Sequence, residues 1–195
     1  MIYIIPIIHE LQARCPSSYP YANDFVNYLK QNVGKLDIKL FADEWSEDGL
    51  NDRWGNRSNV EDIANELKIE YRAIDPSKKR RVELGIPSLE NIVKSYSQEI
   101  PFYSKFHYFP DTNEGKNEKL QWDIIQSYYF PQREQEWFDN IANNLNENII
   151  LTCGSNHVSC GNRHIPNAKG FDIFLEEQGY STEILTEDFY INPFE

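Results

Sequence analysis

The chain has 195 residues, 40% of them hydrophobic and 26% charged, a length and balance that suit one domain with a sizeable core. Its formal net charge of −12 repels phosphate backbones and anionic lipid heads, and no basic run exceeds Lys78-Lys79-Arg80-Arg81, so nucleic acid and membranes are not expected partners. Three cysteines without framework spacing fit a reducing compartment, and the apolar opening Met1–Ile8 is too short for a leader or a bilayer span; the expectation is a cytoplasmic protein.

Ile2–Ile8 is apolar at nearly every position, as in a strand covered on both faces. Pro6 removes a ladder donor there and points to an edge position or a bulge near the strand's end. A helix is expected over Ala22–Gln31, a second strand over Asp37–Ala42, and a helix over Asn59–Leu67, where Val60, Ile63, Ala64 and Leu67 recur at helical spacing. Glu70–Ile74 reads as a third strand stopped by Asp75-Pro76, with Ser77 capping a short basic helix. Residues 85–120 carry the aromatic, irregular run Phe102–Phe109 and read as a helical insertion beside the sheet. Leu120–Leu145 is helical with an interruption near Pro131, and Asn148–Cys153 is a fourth strand. A loop inserted over 158–169 follows, then a helix over Phe171–Gln178 closed by Gly179, and a last strand over Tyr180–Leu185. The fold expected is α/β: a mostly parallel central sheet flanked by helices, as a single domain over 1–195.

Four of these strands end in chemically capable residues: His9, then Asp43-Glu44, then Asp75, then Gly154-Ser155-Asn156-His157. In an open parallel sheet all carboxyl ends share one edge, where ligands bind. Each residue has a plainer reading, since Asp43 and Asp75 can cap helices and a lone His often bonds within a core; their joint alignment favours a site. Two imidazoles and a carboxylate suit either of two mechanisms. His9, Glu44 and His157 can hold a divalent metal (Mn²⁺, Zn²⁺ or Co²⁺) that activates water, or one His can act as general base while Arg133 stabilises an oxyanion. Asp43, Asp75 and Asn156 are expected to contact substrate. A competing pattern is Cys-x3-His twice, Cys153–His157 and Cys160–His164, a structural zinc arrangement disfavoured because Cys153 closes an apolar strand.

The run Arg133-Glu-Gln-Glu-Trp137, then Ile149–Cys153, Gly154-Ser-Asn-His157 and Phe174-Leu175…Gly179-Tyr180, resembles the closing module of the superfamily that joins erythromycin-esterase-like, ChaN-like and TraB/Tiki proteins. Ile7-Ile8-His9 and Ala42-Asp43-Glu44 resemble its N-terminal motifs, with Pro6 where a Gly usually stands. The resemblance implies a site at His9, Glu44, Arg133 and His157, in a group that spans metal-free esterases, metal-dependent peptidases and a haem-binding protein. The expectation is a hydrolase acting on a small molecule or peptide. A non-catalytic small-molecule or haem-binding module, or a pseudoenzyme working through protein contacts, are the alternatives.

Overall fold

Among the described residues five short strands hydrogen-bond into one all-parallel sheet, and their order explains which residues meet at its carboxyl edge. The computed structural model describes residues 1–7, 9–12, 22–46, 48, 57–86, 129–159 and 169–185. Along the chain these form β1 (Ile2–Ile7), α1 (His9–Gln12), α2 (Ala22–Leu36), β2 (Leu40–Asp43), α3 (Asn59–Leu67), β3 (Glu70–Ala73) and α4 (Lys78–Glu83). They continue with α5 (Phe130–Ile141), β4 (Ile149–Gly154), α6 (Phe171–Glu177) and β5 (Thr182–Ile184). The sheet order is β3-β2-β4-β1-β5. The α/β expectation is therefore met. Most of the 85–120 insertion, including Phe102–Phe109, and the loop residues Cys160 and His164 lie outside the described residues. No helix among the described residues is long and apolar enough to cross a membrane.

Side chains alternate across each strand, and the helices divide accordingly. On one face Ile2, Ile4, Leu40, Ala42, Ile149, Leu151 and Cys153 pack with Trp137 and Ile141 of α5 and Phe171 and Leu175 of α6. On the other, Ile5, Ile7, Phe41 and Ile150 pack with Phe25 and Leu29 of α2 and Val60, Ile63 and Ala64 of α3. Connections that move one way along the sheet carry helices to one face and the return connections carry them to the other, as uniformly right-handed crossovers require.

Pro6 does not mark an edge. β1 lies between β4 and β5, with Pro6 opposite Cys153. Ile2 and Ile4 turn their polar groups toward β5, through Ile2 N–H to Ser181 O (3.0 Å) and Leu185 N–H to Ile4 O (2.8 Å). Pro6 shares their parity, and β5 pairs no further than Ile4, so the missing N–H falls where no strand asks for it. The second helix runs to Leu36, five residues past its expected end, and stops at Asp37, whose φ of 49° is left-handed. Strand β2 accordingly starts at Leu40. Pro131 begins α5 where a break was expected, a place where its missing N–H costs nothing. Ser77 caps α4 as expected, accepting from Arg80 N–H at 3.2 Å.

Candidate active site

The adjacent acids Asp43 and Glu44 part company because successive strand residues face opposite sides of the sheet. Asp43 points toward α3 and is fully buried. One of its oxygens accepts from Thr152 Oγ1 (2.5 Å) and Gln12 Nε2 (2.6 Å), the other from Ser58 Oγ (2.5 Å) and the Tyr71 hydroxyl (3.2 Å). Burial pushes its carboxyl above the usual range, and these four donors pull it back without cancelling that. Burial, then the facing Asp43, also push the Tyr71 phenol up. With both oxygens engaged in this way, Asp43 anchors β2, β4 and α1.

Glu44 points toward α5. Its Oε1 accepts from Arg133 Nη2 at 2.7 Å and lies 3.4 Å from His157 Nε2, while its Oε2 accepts from Gly154 N–H at 2.7 Å. Burial would raise its carboxyl, but His157, Arg133 and His9 together hold it well below the ordinary carboxylate range. Arg133 spans two acids, reaching Asp75 Oδ1 through Nε (2.8 Å) and Nη2 (2.7 Å) as well as Glu44. Burial alone would lower the guanidinium, and Asp75 and Glu44 overcome it, so it stays charged. Asp75 also accepts from Trp137 Nε1 (3.0 Å) and from Arg81, whose Nη1 meets the Tyr129 hydroxyl at 2.6 Å. Asp75, like Asp43, is thus a buried brace, here for Arg133.

His157 is buried between two acids and two rings. Its Nδ1 lies 2.7 Å from Glu134 Oε1, and its ring centroid is 3.9 Å from that of Phe130 and 4.6 Å from that of Trp137. Burial lowers its pKa, but Glu44 and the hydrogen bonds to Glu134 and Glu44 outweigh that and push it up to about 9. Near neutral pH the ring is therefore an imidazolium, with Nδ1 bonded to Glu134 and Nε2 paired at 3.4 Å with Glu44.

His9 differs. It opens α1, half-buried, with Nδ1 2.9 Å from Gln12 Oε1. A Cβ placed on Gly154 would sit 3.4 Å from His9 Nε2, His9 Cε1 and Glu44 Oε2 alike. The bare backbone of Gly154 therefore faces the gap between that imidazole and that carboxylate. The helix α1 itself is held by the start of α3, through Asn59 Nδ2 to Leu11 O (2.9 Å).

Compared with protein-family models, with curated proteins and with solved structures, the chain matches none.

The structure brings His9, Glu44, Arg133 and His157 together around Gly154, with Asp75 behind Arg133. Asn156 sits half-buried in the same turn and bonds to none of these side chains. Among the described residues no group of three or more His, Cys, Asp or Glu side chains has a metal-holding arrangement. Of the Cys-x3-His pair, Cys153 is packed in the core and His157 is engaged by Glu134, while Cys160 and His164 lie outside the described residues. Gln12, Glu134 and Arg81 have no separate prominence in the sequence. Gln12 stands one helical turn from His9, and Glu134 directly follows Arg133; those two spacings are the signals that could have found them.

Proposed function

We propose that the chain is a hydrolase of carboxylic esters that uses His9 as general base and works without a metal ion. The observation that carries this reading is the contrast between the two imidazoles. His157 is held as a cation by acids on both sides, whereas His9 is half-exposed and presents its outer nitrogen beside Gly154 and Glu44. A base must be able to take a proton, and of these two imidazoles His9 is the one left to do so.

In this reading His9 Nε2 removes a proton from water as the water oxygen adds to the ester carbonyl carbon. The charge that develops on the carbonyl oxygen faces the Arg133 and His157 cations, and His9 returns its proton to the departing alcohol oxygen. Glu44 fixes both cations and the Gly154 turn. A metal held by His9, Glu44 and His157 fits the geometry poorly, because it would have to displace a guanidinium 2.7 Å from Glu44 and strip a proton from His157.

The test is hydrolysis of p-nitrophenyl acetate by the full chain before and after exhaustive chelation, beside His9→Ala. General-base assistance contributes about 10²–10⁴-fold. We expect a loss of at least about 10²-fold in His9→Ala and none on chelation. Activity restored by Mn²⁺, Zn²⁺ or Co²⁺ after chelation would move the reading to metal-assisted hydrolysis, and turnover that survives His9→Ala would remove His9 as the base.

A further inference from the structure

Histidine carries two unlike nitrogens, and only the one without a proton can act as a base. Which one that is follows here from a neighbouring amide. Gln12 is completely buried, and its Nε2 lies 2.9 Å from the backbone carbonyl of Glu44 and 2.6 Å from Asp43 Oδ1. A carbonyl can only accept, so the atom facing it must be the amide NH₂, whatever the charge on Asp43. The amide oxygen is then the atom that faces His9 Nδ1 at 2.9 Å. Two acceptors at that distance would repel, and a buried amide oxygen needs a donor. His9 Nδ1 therefore carries hydrogen in both of its charge states, and its neutral form has the lone pair on Nε2, the nitrogen beside Gly154.

We propose that Gln12 is a positioning residue that locks His9 as its Nδ1–H tautomer and so aims the Nε2 lone pair at the Gly154–Glu44 gap. The inference deepens the hydrolase reading and rests on it for the lone pair's use; the tautomer is a property of the resting protein. Asp43 and the Glu44 carbonyl orient the amide, Ser58, Thr152 and Tyr71 hold Asp43, and the buried polar cluster thereby acts on the imidazole at its edge. An unconstrained histidine prefers the opposite tautomer, so the lock has something to work against.

The test is a long-range ¹H–¹⁵N spectrum of the uniformly labelled full chain, at a pH where the imidazole is neutral. The chain has four histidines, and His9 is assigned by the signal missing from His9→Gln. We expect a protonated Nδ1 and an unprotonated Nε2 in the wild type. Gln12→Leu should return His9 to a mixture dominated by Nε2–H. Gln12→Glu, which keeps an acceptor toward Nδ1 and can share a proton with Asp43, should restore Nδ1–H. A merely structural Gln12 would not reverse the tautomer between these two variants. An Nε2–H tautomer in the wild type overturns the inference, as does a Leu variant with the wild-type tautomer. Should Gln12→Leu fail to fold, the wild-type and Glu spectra still decide. Wild type inert toward p-nitrophenyl acetate would defeat the hydrolase reading and leave the tautomer result standing, while a wrong tautomer with His9-dependent hydrolysis would do the reverse.

Discussion

At the scale of single residues the site is a set of buried charges that neutralise one another, and this makes stability depend on pH from both sides. His157 has its pKa raised to about 9 in the fold from 6.5 without it, so the folded chain keeps its proton longer than the unfolded one. Its contribution is fully present below about pH 6.5 and is lost as pH rises through about 9. Glu44 is the mirror case. Its pKa is depressed, so its contribution is present above the ordinary 4.5 and is lost as pH falls below it. We expect the urea midpoint to drop between pH 6.5 and 9 by the equivalent of about 3 kcal/mol, and His157→Gln to be less stable but flatter over that range. A wild-type midpoint that stays level across the window would show that His157 is not held as a cation. The residues facing the site were legible because a strand's end announces itself in sequence: an apolar run stops and His9, Asp43-Glu44, Asp75 or His157 follows. Their partners were not. Nothing in a sequence tells a Glu that fixes a histidine, such as Glu134, from one that faces water, and Gln12 earns its place only through a carbonyl 32 residues away.

At the scale of elements, Ser159 and the start of α6 meet in packing that admits no side chain at Gly170. Asp172, in the first turn of α6, accepts from Ser159 N–H at 2.9 Å and from the Ser159 hydroxyl. Gly170 lies so close beneath that a Cβ there would stand 2.6 Å from the carbonyl carbon of Val158 and nearer still to Ser159 N and the Asp172 carboxylate. Gly170→Ala must therefore push α6 away from the His157 turn, at a cost of about 1–3 kcal/mol. Gly34 offers the control, since a Cβ on it meets nothing within 4 Å and it sits inside α2. Gly34→Ala should stabilise by roughly 0.5–1 kcal/mol. Chemical denaturation of both variants checks the pair, and equal effects would contradict the packing at Gly170. Elements were legible to the extent that local pattern decides them: α3 has the expected bounds because apolar spacing and its ends agree. Pro6 misled because its cost depends on where β5 stops, at Ile184 near the far end of the chain, which is absent from local pattern.

At the scale of the whole molecule, the sheet order places β1 between β4 and β5, with Ile2 opposite both Ile149 and Thr182. During synthesis the first strand emerges long before either neighbour exists, and the earlier pair β2 and β3 offers it no place, since β4 must come between. The chain therefore has to keep an unpaired apolar segment out of trouble until its last third arrives. Contacts so distant along the chain close slowly, and unpaired strands are where association begins. A chain ended after Asn148 should consequently pellet or bind a hydrophobic dye and show no cooperative melt, while the full chain melts cooperatively. A soluble, cooperatively folded 1–148 fragment would mean that β1 can find shelter without β4. His9 waits with β1, so its surroundings come into being late: the arrival of β4 and the His157 turn joins β1 to β2 and brings the four site residues together, before β5 closes the far side.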